Sequence, residues 1–212
     1  MDITLTDLLE RGPITWLLAG DSITSGWGLA DYRDSYAGRF TDHLTHSADP
    51  VRAQDTVANS GVPGATVWDA LCEFEWAVTR HGADVVTVLF GMNDAGWGID
   101  RLDRFATGMA EFVGDVSDLG ALVVLQTTYP VGPGGEGTHE ALPAYNDAVR
   151  QLASRTGCPL VDHERHWATL EVPGAWYLDP YHLTERGHAE LATLLTATLL
   201  GPAEAVEDSA EG

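Results

Sequence analysis

Short segments with strand composition alternate with longer segments of helical periodicity along most of this chain, and this alternation strongly constrains its fold. The clearest strand segment, 85–90, reads Val-Val-Thr-Val-Leu-Phe and is almost wholly apolar, as a strand buried on both faces of a parallel sheet should be. The segment 14–19, Ile-Thr-Trp-Leu-Leu-Ala, has the same character. Alternating strands and helices predict a parallel sheet whose right-handed crossovers place helices on both faces.

The pattern predicts an α/β fold of three layers, with a flavodoxin-like, five-stranded parallel sheet between two layers of helices. The predicted strands are 14–19, 52–58, 85–90, 121–128 and 159–162, and the predicted helices are 6–11, 35–46, 66–79, 102–118, 139–156 and 185–199. We expect residues 1–201 to form a single domain. Residues 202–212 have no periodicity and several acidic side chains, which predicts a solvated tail.

The composition excludes several classes of function. The chain of 212 residues has a formal net charge of −21, so it lacks the basic surface that nucleic acids or anionic membranes require. All of its basic residues are arginines. The absence of lysine excludes a Schiff-base lysine, a PLP aldimine and a P-loop lysine.

The compartment is predicted from the amino terminus and from the apolar segments. The first residues, Met-Asp-Ile-Thr, are acidic rather than basic, and no segment approaches the ~20 apolar residues of a membrane span. We therefore expect a soluble, cytoplasmic protein. In that compartment Cys72 and Cys158 are expected to be reduced thiols in the core.

A candidate nucleophile follows the first predicted strand, in Gly20-Asp21-Ser22-Ile23. Since ligands bind at the carboxyl ends of parallel strands, Ser22 is expected at the mouth of a crevice. A nucleophilic serine needs a base, an acid that orients the base, and donors for an oxyanion. Candidates are Gly61 in Asn-Ser-Gly, Asn93 in Gly-Met-Asn-Asp, and the pair Asp179 and His182 in Asp-Pro-Tyr-His. The alternative for each is a turn, cap or surface residue.

These four blocks, in this order, resemble the SGNH hydrolase superfamily, also called the GDSL esterase/lipase family. The resemblance covers residues 14–199. The nucleophile elbow G-x-S-x-G of α/β-hydrolases does not match, since Thr24 stands two residues after Ser22. The family implies the same sandwich fold, with Ser22 as nucleophile, His182 as general base and Asp179 as the residue that orients His182. It also implies an oxyanion hole formed by Ser22, Gly61 and Asn93.

The function that this resemblance implies is that of a serine esterase, which hydrolyses a small carboxylic ester through an acyl-enzyme without cofactor or metal. An acyltransferase or thioesterase with the same triad is one alternative. A non-catalytic domain that binds a small molecule is another. Aromatic residues on or near the loops at this edge, namely Trp27, Trp97, Tyr129, Tyr177 and Tyr181, are weaker candidates for substrate contacts.

Two further patterns have simpler interpretations. Residues 132–137 form a literal G-x-G-x-x-G, but Pro133 removes an amide and Glu136 adds negative charge, and the motif follows the fourth predicted strand. A mobile loop beside the active site is the better interpretation. The histidine pairs 43/46 and 163/166 lack a recognisable third ligand, so surface histidines are expected there rather than a metal site.

Overall fold

The computed structural model describes residues 4–137 and 139–201 and contains a five-stranded, all-parallel sheet of order β2-β1-β3-β4-β5. The strands are β1 (Thr15–Gly20), β2 (Thr56–Asn59), β3 (Val85–Leu89), β4 (Leu122–Gln126) and β5 (Leu160–Val161). With helices flanking the sheet, the predicted three-layer α/β fold is confirmed. The predicted tail lies outside the described residues.

The two central strands are formed by the most apolar segments of the chain. β1 pairs with β3 in the register Trp16↔Val85 to Gly20↔Leu89, and every residue of β3 is buried. A strand covered by helices on both faces needs apolar side chains at successive positions, which explains the continuous run. The carboxyl ends of β1, β2 and β3 therefore lie side by side at one edge, at which the order of strands reverses direction.

The α-helices of the described part follow the predicted alternation. They are α1 (Leu5–Arg11), α2 (Ser22–Ser25), α3 (Tyr36–Thr45), α4 (Val67–Cys72), α5 (Phe74–Ala77), α6 (Met92–Ala95), α7 (Leu102–Asp118), α8 (Leu142–Thr156), α9 (His163–Trp167) and α10 (Glu185–Leu200). None of these is both long and apolar enough to span a bilayer.

The predicted helix 66–79 and the predicted strand 52–58 differ most from the observed elements. The predicted helix 66–79 is broken at Glu73, whose φ of −110° and ψ of 30° are not helical, and the Phe74 ring then packs edge-on against Phe112. The predicted second strand begins at Thr56 instead of Arg52. Residues 52–54 form a 3₁₀ turn, which lets the Arg52 guanidinium turn back onto Asp55.

The cysteines are both free thiols, but they do not lie in the core. Cys72 is exposed and Cys158 is half-buried. Cys72 is the last residue of α4, at the break described above. An interruption that exposes the end of a helix is not visible in its apolar spacing, so the prediction of a buried thiol was wrong there.

Candidate active site

Ser22 lies where β1 ends and the short helix α2 begins. Asp21 caps this helix, since its carboxylate accepts a hydrogen bond from the Ile23 amide at 2.9 Å. Gly20 is required before it, because a Cβ there would lie 2.7 Å from the Leu89 carbonyl oxygen and closer still to Thr24. The strand-to-helix turn thus places the Ser22 hydroxyl at the edge of the sheet, with 8% of the residue exposed.

Asp179 and His182 lie on one tight loop before α10. The Asp179 carboxylate accepts hydrogen bonds from the backbone amides of Tyr181 at 2.8 Å and His182 at 2.9 Å. Its second oxygen lies 2.8 Å from Nδ1 of His182. The loop is closed by the Leu178 amide, which donates to the His182 carbonyl at 2.8 Å. Three residues of sequence separation are therefore enough to fix the acid against the imidazole.

The second nitrogen of His182 completes a series of three side chains. Nε2 lies 2.9 Å from the Ser22 Oγ. Burial favours a higher pKa for Asp179, but hydrogen bonds from His182 and two backbone amides outweigh it, so the pKa lies below the ordinary value. The ionised carboxylate then accepts a hydrogen bond from Nδ1–H, which leaves Nε2 as the acceptor for the serine proton.

Trp27 covers the imidazole from the solvent side. The two ring centroids of Trp27 and His182 are 4.3 Å apart, with an angle of 43° between the planes. The Trp27 amide donates to the Ser22 carbonyl at 3.0 Å, and 49% of the residue is exposed. Trp27 therefore lies at the catalytic edge, as predicted, and its ring packs against the imidazole of His182.

Asn93 is brought to the same edge by β3 and the helical turn α6. Its side-chain nitrogen donates to Oδ2 of Asp21 at 3.2 Å and to the Ala65 carbonyl at 3.0 Å. Asp21 thus connects the turn of Ser22 with the amide of Asn93. Asp21 is 1% exposed, and burial is the main cause that raises its pKa to about 7.

Gly61 has a different role from the predicted one. Its amide donates to Oδ1 of Asn59 at 2.8 Å, so this donor is used within the protein. A Cβ on Gly61 would lie 2.5 Å from the Ser25 nitrogen and 2.8 Å from the Thr24 carbonyl carbon. Gly61 is therefore needed for close packing against α2, and the sequence does not reveal which acceptor its amide meets.

The other predicted aromatic contacts separate into two groups. Tyr129 is 1% exposed and its hydroxyl donates to the Tyr181 carbonyl at 2.6 Å, so it supports the loop of His182 from the core instead of facing solvent. Tyr177 donates to the Pro130 carbonyl at 3.0 Å, and the Tyr181 ring packs against His139. Trp97, by contrast, is 71% exposed.

The glycine-rich segment 132–137 packs beside the catalytic loop. The Gly132 amide donates to the Pro180 carbonyl at 2.8 Å, and the Glu136 carboxylate accepts from the Gly134 amide at 3.2 Å. These amides are used within the protein. In the described part of the chain, no group of three or more His, Cys, Asp or Glu side chains could hold a metal ion.

Two histidines that the sequence does not distinguish are buried. His163 is fully buried and its Nε2 lies 3.0 Å from Oε1 of Gln126, whereas the sequence predicts a surface residue. His188 is 1% exposed and its Nδ1 accepts from the Tyr36 amide at 3.2 Å. Burial is the main cause that lowers the pKa values of His163 to about 3 and of His188 to about 4.

A hydroxyl, an imidazole and a carboxylate joined in series at the switch point of a parallel sheet define the serine-hydrolase class of protein. Comparison with known sequences makes the class specific. Residues 18–190 match the GDSL-like lipase/acylhydrolase family, and the chain therefore belongs to this family. The expected family is confirmed, and the protein is a serine esterase that acts on carboxylic esters.

Known relatives match most of this chain, but at low sequence identity. The chain is 27% identical over 180 residues to a Bacillus subtilis protein called uncharacterized lipoprotein YqeF, which covers 73% of this chain and 72% of the relative. A variant of Axe2, an acetyl xylan esterase from Geobacillus stearothermophilus, is 21% identical, with a TM-score of 0.77 over 91% of this chain and 98% of its own. LAE5, an alpha/beta hydrolase enzyme from the metagenome of Lake Arreo, is 24% identical, with a TM-score of 0.76 and the same coverage. At these identities the solved structures support the fold alone, and a cytoplasmic location stays a prediction.

Proposed function

We propose that this protein hydrolyses a short-chain carboxylic ester through an acyl-enzyme on Ser22. The Ser22 Oγ attacks the carbonyl carbon while Nε2 of His182 takes the hydroxyl proton. The intermediate collapses, the bond to the alcohol oxygen breaks, and His182 returns the proton to that oxygen. Water then attacks the acyl carbon and gives a proton to His182. The acid leaves as His182 returns this proton to the Ser22 oxygen.

Backbone amides without acceptors indicate where the oxyanion binds. In the loop 60–66, the amides of Ser60, Val62 and Ala65 donate to backbone carbonyls, those of Gly61 and Thr66 donate to side chains, and residue 63 is proline. Among the described residues, the Gly64 amide has no acceptor, and neither has that of Ser22. We assign the oxyanion to these two amides and to Asn93, which reaches the Ala65 carbonyl beside Gly64.

The substrate is proposed to have a short acyl group. Ser22 is only 8% exposed, and the Trp27 ring lies over its base, so little room is left beside the reacting atoms. The acetyl xylan esterases with the same fold point in this direction by their names. Hydrolysis rates of 4-nitrophenyl esters from acetate to palmitate should fall steadily with chain length. A maximum at eight carbons or more would contradict the short acyl group.

The observation that carries the proposal is the series Ser22–His182–Asp179, with distances of 2.9 and 2.8 Å. We expect Ser22→Ala to lower kcat on 4-nitrophenyl acetate by ~10³-fold or more, because nucleophile and base act as a unit. Ser60→Ala is the matched control. It removes a buried hydroxyl without a partner at the same edge and should keep near-normal activity.

Covalent labelling separates an enzyme from a domain that only binds. A fluorophosphonate probe should modify the parent protein and Ser60→Ala, but not Ser22→Ala. If the probe labels none of the three proteins and 4-nitrophenyl acetate is not hydrolysed, the proposed acyl-enzyme is wrong. If Ser22→Ala keeps activity within tenfold of the parent, the nucleophile is another residue.

A further inference from the structure

A groove of about 320 Å³ adjoins the proposed oxyanion site on the side of Asn93. Asp94 in its wall directly follows Asn93, and Thr66 directly follows Ala65, whose carbonyl accepts from the Asn93 side chain at 3.0 Å. The groove therefore begins one residue along the chain from Asn93 and from Ala65, the acceptor of the Asn93 side chain. Trp68, Trp97, Arg101 and Arg104 also line it.

Two arginines line this groove, in a molecule with 32 acidic residues and only 11 arginines. Five of the 11 arginines form ion pairs with Asp or Glu, and Arg101 and Arg104 are among the six that have no carboxylate within ion-pair distance in residues 4–137 and 139–201. Both stand at the start of α7, where the helix dipole adds positive potential. Guanidinium groups left without an internal anion are suited to bind one from outside.

Arg104 is held in place before any ligand arrives. Its guanidinium lies over the Trp68 ring, 4.8 Å from the centroid, and its carbonyl accepts a hydrogen bond from the Trp68 indole at 3.1 Å. Because both contacts are made with Trp68, the Arg104 side chain is already ordered and loses less conformational entropy when a ligand binds. Trp97, on the loop that precedes Arg101, offers a largely exposed indole to the same groove.

Two acidic side chains, Asp69 and Asp94, also line the groove. Asp69 is used by the helix cap of α4, where its Oδ2 accepts from the amide and hydroxyl of Thr66 at 2.8 and 2.6 Å. Asp94 is 5% exposed; its Oδ1 accepts from the Val67 amide at 3.4 Å, and its Oδ2 is buried without a partner. Burial is the main cause that raises the pKa of Asp94 to about 7, so below that pH this carboxyl is mostly protonated and adds little negative charge to the groove wall.

We propose that this groove binds a negatively charged group, carried by the ester substrate on its acyl or alcohol side. Arg101 and Arg104 pair with the anion, and Trp97 packs against the part between the anion and the scissile bond. The inference rests on the proposed function. It deepens that function by naming an anionic ester, such as a dicarboxylic monoester or an acetylated sugar acid, as the substrate class.

Two pairs of substrates test the charge on each side of the ester bond. The acyl pair is mono-4-nitrophenyl glutarate and its methyl-capped, neutral counterpart. The alcohol pair is monoacetylated methyl glucuronide and monoacetylated methyl glucoside. In at least one pair, kcat/KM for the charged ester should exceed that for the neutral ester by about tenfold or more. The pair that shows the preference identifies the side that occupies the groove.

The double variant Arg101→Gln/Arg104→Gln should remove this preference and leave kcat/KM on the neutral esters unchanged. Arg155→Gln, which changes an exposed arginine at the far end of α8, is the matched control and should keep the preference. Loss of activity on charged and neutral esters alike in the double variant, or no preference in either pair, would overturn the inference.

Binding measured without turnover separates this inference from the proposed function. Calorimetric titration of Ser22→Ala with glutarate and with methyl glucuronide should show binding of at least one of them. That binding should weaken about tenfold or more in the background of the arginine double variant. If 4-nitrophenyl acetate is not hydrolysed but the arginine-dependent binding is seen, the proposed function fails and the groove stands. If neither anion binds, the groove inference is wrong, whatever the esterase activity.

Discussion

Asp21 is the residue that connects the nucleophile with the oxyanion donor. One of its oxygens accepts from the Ile23 amide, which fixes the turn of Ser22, and the other accepts from the Asn93 side chain. Ser22 and Asn93 follow different strands, so their relative position would otherwise depend on sheet packing alone. A single buried carboxyl group thus adjusts both sides of the proposed site.

A substitution at Asn93 tests whether its amide acts on the transition state. In this structure its two protons are donated to Asp21 and Ala65, and a developing oxyanion would attract the same nitrogen more strongly. We expect Asn93→Ala to lower kcat on 4-nitrophenyl acetate by ~10²–10³-fold with little change in KM, as expected for a donor used mainly in the transition state. Gln151→Ala removes an exposed amide from α8 and controls for a general effect. A raised KM with an unchanged kcat would make Asn93 a residue that binds the ground state.

The residues of the candidate triad could be predicted from the sequence because each stands in a short, local motif. Ser22 follows a recognisable strand, and Asp179 and His182 are three residues apart on one loop. Gly61 could not be assigned in this way. Its amide is used by Asn59, two residues before it, and the availability of an amide depends on the exact direction of the chain. The predicted substrate contact of Tyr129 was wrong for a related reason. Its loop lies beside the active site, but its ring points into the core.

At the scale of elements, the opposite edge of the sheet is fixed by a buried ion pair. Arg52 reaches Oδ2 of Asp55 at 3.0 Å, and its guanidinium also donates to the carbonyls of Leu9 and Gly12. Asp55 accepts in addition from the Ile14 amide and the Trp16 indole, both at 2.9 Å. This cluster ties α1 to β1 and to the turn before β2, far from the carboxyl ends of the strands.

Breaking this pair should affect stability and leave the chemistry unchanged. In Asp55→Ala, Arg52 keeps a buried charge without its buried counter-ion, and the Ile14 amide and the Trp16 indole lose their acceptor. We expect the free energy of unfolding to fall by ~3–5 kcal/mol, as is typical when one partner of a buried pair is removed. Urea denaturation measures this loss, with Asp49→Ala as a control at the exposed neighbour of Arg52. The kcat of the folded protein at low temperature should match the parent, and a large fall in kcat would show that the cluster also shapes the site.

The elements themselves were predicted where periodicity is long and pure, as for α7 and β3. The short helices α2, α6 and α9 were not, because four or five residues give no measurable period. Each of these helices closely follows a strand, and α2 and α6 carry Ser22 and Asn93. The start of β2 was misplaced because the tertiary contacts of Arg52 override a local preference for strand.

At the scale of the whole molecule, the buried ionisable groups change the stability of the fold with pH in opposite directions. His163 and His188 are neutral in the folded protein because burial lowers their pKa values to about 3 and about 4. Asp21 and Asp94 have pKa values raised to about 7, so they hold protons that the unfolded chain releases above pH ~4. The two aspartates therefore favour folding at low pH, and the two histidines favour it at high pH.

The contribution of His163 can be isolated by comparing unfolding free energies at several pH values. The unfolded chain binds a proton at this residue below pH ~6.5, and the folded chain does not until about pH 3. Stability from this group is thus complete above pH ~6.5 and is lost as the pH falls toward 3, by ~1.4 kcal/mol per pH unit. In His163→Gln this loss disappears, while the opposing effects of Asp21 and Asp94 remain in both proteins and cancel in the difference. The variant should be less stable than the parent at pH 8, since the fit to Gln126 is altered.

Between pH 6.5 and pH 5 the difference in unfolding free energy between the parent and His163→Gln should shrink by ~2 kcal/mol, measured by urea denaturation. His46→Gln is the control for loss of an exposed imidazole. A difference that stays constant across this range would mean that His163 takes up a proton in the folded protein as readily as in the unfolded chain.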